Sequence, residues 1–170
     1  MKYTENLLKQ PAFLQWQAEI QSYEQDRIYC KHDLAHALDV CRIAWILYLE
    51  YRLSLDGNEM GSWEKDRFYV TGLLHDVGRV FQYRNGEHHS SAGVRMAEQI
   101  LREIGYPSEW MEETLRIIGS HQGRSTLQEM PKNMEYFLRR ADHLSRNCFC
   151  CAAADSCKWK EQERNQTIRC

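Results

Sequence analysis

A histidine and an aspartate stand side by side at His75-Asp76, inside an apolar run, Leu73-Leu74-His75-Asp76-Val77, that ends in Gly78. Neighbouring residues of a helix diverge by about 100°. The imidazole can therefore take one metal ion while the carboxylate reaches toward a second, because two-metal sites hold their ions about 3.5–4 Å apart. Taken singly, a histidine of this kind is more readily a hydrogen-bonded core residue. The set is more telling: His36, His75, Asp76, His89, His121 and Asp142 follow one another in the order His, His-Asp, His, His, Asp, each embedded in apolar helical sequence. Burying so many ionisable groups without a cation would be costly, so the set points to metal ligation. Mixed imidazole and carboxylate donors suit iron, manganese, zinc or cobalt rather than an all-oxygen magnesium cage. Two divalent transition metals are the expectation.

The thiols form a second constellation. Seven cysteines occur, and Cys148, Cys150, Cys151 and Cys157 crowd into ten residues. Cys148-x-x-Cys151 followed by Cys157 supplies three thiolates, and a tetrahedral site needs a fourth ligand. Cys30 is the candidate, because it sits just ahead of the segment bearing His36 while Cys148 follows closely after Asp142. A structural zinc ion or an iron–sulfur cluster on Cys30, Cys148, Cys151 and Cys157 stands against free thiols in a reducing compartment. Cys41 and Cys170 belong with the free thiols.

Helices must position these groups. Leu34, Leu38, Cys41, Trp45 and Tyr48 repeat at helical spacing, as do His36, Val40, Ile43 and Leu47. That helix is apolar on two adjacent faces, should be central, and should stop at the Asp56-Gly57-Asn58 turn. A helix from Trp63 to about Val77 would carry the His-Asp pair and stop near Gly78. Val94, Ala97, Leu101 and Ile104 mark another, ended by Gly105-Tyr106-Pro107. Ser108 can cap the next, with Met111, Leu115 and Ile118 facing inward, and a last helix should span Asn133 to Arg146. No stretch alternates with period two, so the class is all-α.

The 170 residues suffice for one domain with a single core, which we place at about 28–147, with a cysteine-rich tail at 148–170. Hydrophobic residues make up 43% and charged residues 27%, a globular balance. A net charge of −2 offers no basic field for nucleic acid or an anionic membrane. The longest apolar run, Ile43 to Leu49, is far short of a membrane span, and the N-terminus lacks a signal-peptide pattern. Cytoplasmic location is the expectation. Arginine outnumbers lysine 15 to 7, mildly favouring phosphate handling.

These residues resemble the HD-domain superfamily of metal-dependent phosphohydrolases, over roughly residues 28 to 160. His36-Ala-Leu-Asp-Val40 is similar to the family's first histidine with an aliphatic four residues on, and Gly72-Leu-Leu-His-Asp-Val-Gly-Arg79 to its signature. His89 with Gly93-Val-Arg-Met-Ala97, Ile117-Ile-Gly-Ser-His121 and Arg140-Ala-Asp142 match the remaining ligand helices. The resemblance implies an HD helical bundle of about six to eight helices. With His89 and His121 present, it implies the dinuclear variety, as in bacterial dinucleoside-polyphosphate hydrolases; mononuclear relatives keep only His36, His75, Asp76 and Asp142. It makes Asp76 the bridging carboxylate that positions a water. Arg79 stands where relatives often carry a phosphate-facing base, and Arg124 could serve likewise.

Lys31-His32-Asp33 before His36 is similar to the sequence preceding the first ligand of cyclic-nucleotide phosphodiesterases, whose earlier histidine protonates the leaving oxygen. His32, one helical turn before His36, would be the general acid or a substrate contact. His88 and His143 read as solvent-facing and structural. The tail is similar to that of small clostridial-type members. The implied substrate is a small phosphorylated molecule, a nucleotide by preference. Two readings stay open beside it: a diiron oxygenase of the myo-inositol oxygenase kind, and a metal-binding regulatory module without turnover.

Overall fold

The computed structural model describes residues 1–55, 61–120 and 130–168. It is all-helical: α1 (Lys2–Leu8), α2 (Pro11–Tyr23), α3 (Leu34–Leu53), α4 (Ser62–Leu74), α5 (Arg79–Asn85), α6 (His89–Glu103), α7 (Ser108–Ser120) and α8 (Met134–Leu144). Past α8 the chain makes short 3₁₀ turns at Cys148–Cys150, Ala154–Ser156 and Glu161–Glu163. No strand occurs among the described residues, and none of their helices is long and apolar enough to cross a membrane.

The two apolar faces of α3 serve two clusters. Ala37 and Cys41 join Leu73, Leu74, Ile100, Leu101 and Ile118 on one side. Val40, Ala44 and Leu47 pack with Phe68, Phe137, Leu138 and Ala141 on the other. The central helix thus lies against both α4 and α8, while α6 joins α5 to α7. Leu7, Phe13 and Ile20 are fully buried in the first cluster, so the core begins before residue 28. Each such burial is worth about 1.5–3 kcal/mol, which fixes α1 and α2, helices too short to hold alone. Buried Asp66 of α4 adds a polar tie: it accepts from Tyr3 N at 2.9 Å, Thr4 N at 2.8 Å and Thr4 Oγ1 at 2.6 Å. These are the N–H groups that the start of a helix leaves without partners.

Several boundaries differ from the expectation. Asn133 lies outside α8 as its cap, accepting from Tyr136 N at 3.0 Å, and the helix ends at Leu144. Ser108 is the first residue of α7, not its cap. Gly105 ends α6 in the left-handed region at φ 66°, with Tyr106 N donating to Leu101 O at 2.9 Å, as its type predicts. Helix α3 ends at Leu53, and Asp56-Gly57-Asn58 lie outside the described residues. The difference that matters is at α4. It ends at Leu74, and residues 75–78 form successive tight turns, with Val77 N on Leu74 O at 3.3 Å and Arg79 N on Asp76 O at 3.0 Å. The His75-Asp76 pair therefore sits on a helix end rather than inside a helix. Gly78 makes this turn possible, since a Cβ there would fall 1.9 Å from His89 O and 2.4 Å from Gly93 N. The turn and the start of α6 touch backbone to backbone.

Candidate metal centre

The central trio is His36, His75 and Asp76, and its two histidines are held by different elements. Asp33 caps α3 by accepting from His36 N at 3.0 Å, which fixes His36 in the first helical turn. His75 follows the last residue of α4, and its Nδ1 donates back to Gly72 O at 2.7 Å. On the other side, the Ser145 hydroxyl donates to Asp142 O at 2.8 Å, leaving its oxygen to accept from His36 Nδ1 at 3.3 Å. Both imidazoles thus have Nδ1–H occupied, which leaves their Nε2 lone pairs to act as ligands.

Those Nε2 atoms meet at the carboxylates. His75 Nε2 lies 3.3 Å from Asp76 Oδ2, and His36 Nε2 lies 3.9 Å from the same oxygen and 3.4 Å from Asp142 Oδ1. The donor atoms of His36, His75 and Asp76 all fall within 4.8 Å of one another. His36 Nε2 is buried with no hydrogen-bond partner, as expected of a nitrogen meant for a cation. By residue type, spacing and this orphaned atom, the trio with Asp142 fits a divalent transition metal. Burial, with neighbouring His75, pushes the His36 imidazole down to about 4 against the pull of Asp142 and Asp76. Burial opposes charge on His75 too, but Asp76 outweighs it and pushes that imidazole up to about 9. Arg79 pairs with the other oxygen of Asp76, Nε to Oδ1 2.9 Å. One carboxylate is therefore shared between the histidines and a cation.

His32 does not lie on α3, because Asp33 is already the cap. Its ring nevertheless packs edge-on against His36, centroids 5.8 Å apart. What holds it is Glu24, just past α2, a residue that nothing in its polar surroundings singled out. This carboxylate is almost wholly buried. It takes His32 Nδ1 at 2.5 Å, His32 N at 2.6 Å and the Tyr83 hydroxyl. Burial alone would raise its pKa; these donors outweigh that and hold the carboxyl at about 2. Ser145 was also missed, although three residues after Asp142 is the spacing at which helical neighbours meet.

A cavity of about 310 Å³ opens on the centre, lined by His32, His36, Arg79 and Asp142 together with Arg27, Lys31, Arg146, Lys158, Tyr29 and Trp159. His89 is buried as the first residue of α6 but is not one of the donors gathered within 4.8 Å. His121 and Arg124 lie outside the described residues. His88 is exposed, and His143 packs against Trp159.

The chain is 32% identical over 162 residues, 95% of each chain, to an uncharacterized protein of Clostridium beijerinckii. No solved structure matches it. The HD domain family model matches residues 33–158, the stretch that carries His36, the His75-Asp76 pair and Asp142. With that match added to a histidine–aspartate cluster at the ends of packed helices, the chain belongs to the HD domain family, whose members bind divalent metals and are typically metal-dependent hydrolases.

Proposed function

We propose that the protein is a phosphohydrolase that cleaves a small phosphoester, a nucleotide by preference, in the cavity above His36 and Asp142. The observation that carries this reading is the cavity wall. Arg27, Lys31, Arg79, Arg146 and Lys158 surround the metal-ligating end, and so many cations suit a phosphorylated anion better than an uncharged polyol awaiting oxidation. Tyr29 and Trp159 on the same wall offer flat surfaces for a base.

His36, His75, Asp76 and Asp142 would hold one ion, and His89 with His121 would complete a second position. Bound there, a divalent ion supplies Lewis acidity toward a phosphoryl oxygen and acidifies water. The chain's own residues do the rest. Asp76 orients the nucleophilic water with Oδ2 while Arg79 fixes its other oxygen. Arg27, Lys31, Arg146 and Lys158 bind and orient the phosphate. His32, fixed through Nδ1 by Glu24, protonates the leaving oxygen from its other nitrogen.

The test uses chain purified without chelator or affinity tag, loaded in turn with manganese, iron, cobalt and zinc, and offered a panel of phosphorylated metabolites. Release of phosphate or nucleotide is expected, together with its loss in Asp76→Ala while far-UV circular dichroism stays helical. Metal-loaded protein that hydrolyses none of the panel, or an Asp76→Ala variant with unchanged turnover, overturns the proposal.

A further inference from the structure

The cysteines are far apart in sequence, yet the fold carries them to one place. Arg27 Nε donates to Cys30 O at 2.8 Å, shaping the segment before α3. From that segment the Tyr29 hydroxyl reaches Ser156, donating to its carbonyl at 3.2 Å with Oγ 3.4 Å away. Tyr29 precedes Cys30 and Ser156 precedes Cys157, so this contact fastens the two cysteine-bearing segments together. In the tail, Cys151 N donates to Cys148 O at 3.2 Å, and Cys157 N to Ala154 O at 3.2 Å. The first of these closes Cys148-x-x-Cys151 into one tight turn, and the second closes a further turn that ends at Cys157. A single cavity of about 430 Å³ is lined by Cys30, Cys148, Cys150, Cys151 and Cys157.

Cys30, Cys148, Cys151 and Cys157 differ from the other thiols. Each is partly buried, whereas Cys150 is exposed with Sγ on Asn147 O, and Cys41 is buried in the core. Burial raises the Cys30 thiol, Arg146 opposes this, and Cys148, Cys151 and Cys157 raise it further. All four are therefore within electrostatic reach. Lys31, Arg146 and Arg164 line the same cavity with Asp33 and Asp39, leaving one cation in excess to offset part of the negative charge of a thiolate set.

The tail also needs a tie. From residue 145 to 168 the buried residues are Ala153 and Asn165, so no apolar core holds these turns. Asn165 Nδ2 anchors them to the carbonyls of His143 and Arg146, each at 2.9 Å. Segments without a core are commonly stapled by a metal or disulfides, and the described cysteines are free.

We propose that Cys30, Cys148, Cys151 and Cys157 bind one zinc ion, a structural site distinct from the histidine–aspartate centre, although Cys30 and Cys157 also line the cavity above that centre. Among the described residues no three of these sulfurs share the 4.8 Å spacing of His36, His75 and Asp76. Zinc draws its sulfurs to about 2.3 Å from itself, so binding closes the tail turns onto the Cys30 segment.

The experiment compares zinc content by elemental analysis, on full chains purified without tag or chelator. In His36→Ala with Asp76→Ala, which disables the other centre, about one zinc per chain should remain. Adding Cys30→Ser and Cys151→Ser should remove it. The tetrathiolate should also protect its sulfurs: in the wild-type chain Cys30, Cys148, Cys151 and Cys157 should react with a disulfide reagent at least ~10-fold more slowly than exposed Cys150 until a strong chelator removes the zinc. That second measurement stands if the substituted chains fail to fold. Zinc lost along with the histidine centre, reaction of these four thiols as fast as that of Cys150, or bound iron and sulfide in place of zinc overturns the proposal.

Discussion

Replacing Glu24 by glutamine keeps the side chain's shape and removes its charge from beneath His32. The carboxylate has its pKa held at about 2 against an ordinary 4.5, a difference equivalent to about 3.4 kcal/mol of folding stability. Because the folded-state value is depressed, that contribution is fully present above pH 4.5 and is lost as pH falls toward 2. At pH 3.5 about 2 kcal/mol of it remains. The glutamine carbonyl oxygen can still accept from His32 Nδ1 and Tyr83, which share Oε1, but not from His32 N as well, so the loss in Glu24→Gln at pH 7 should be about 1–3 kcal/mol. The measurement is urea unfolding followed by far-UV circular dichroism, wild type against variant, at pH 7 and pH 3.5. The gap between the two proteins should shrink on acidification. Equal stabilities at pH 7, or a gap that widens in acid, would refute the assignment of Glu24 as an ionised, buried acceptor.

Gly78→Ala should lower the melting temperature by several degrees, since its Cβ meets backbone of α6 at 1.9 Å and overpacking costs about 1–3 kcal/mol or more. Gly93→Ala, whose Cβ meets only Ile118 Cγ2 at 3.3 Å in tight contact, should melt closer to wild type; the reverse order would contradict the backbone contact. His32→Ala should lower kcat by roughly 10²–10⁴ for alkyl phosphoesters and much less for nitrophenyl esters, with metal content unchanged. An equal loss on both substrates would make His32 a positioning residue.

The helix class, the central α3 and the cluster of His36, His75, Asp76 and Asp142 were legible because periodicity and residue order carry them directly. Of the two faces of α3 read from Leu34 to Tyr48, Val40, Ile43 and Leu47 meet one cluster together, but the other face divides: Leu34, Leu38 and Cys41 meet the first cluster while Trp45 and Tyr48 pack with the second. The break at residues 75–78 was not legible. Leu73, Leu74 and Val77 continue an apolar pattern, and only the approach of α6 to Gly78 shows why the helix must end first. Glu24 was hidden for a different reason: it lies past a short helix in a polar stretch, and its burial depends on Tyr83, 59 residues away. His32 was assigned to the right pocket on the wrong geometry, since Asp33 starts the helix after it.

The placement of the ligands at helix ends has an electrical consequence. His75 directly follows the last residue of α4, and Asp142 lies in the final turn of α8. A helix carries roughly half a negative charge at its carbonyl end, felt within about one turn. Two such ends lie close beside His36 and favour a cation, while the first turn of α3, which carries His36 itself, opposes them with the positive end of its own dipole. Substituting a single one of these side chains leaves the opposed backbone fields in place, so the change it makes to the pocket is that of the side chain alone.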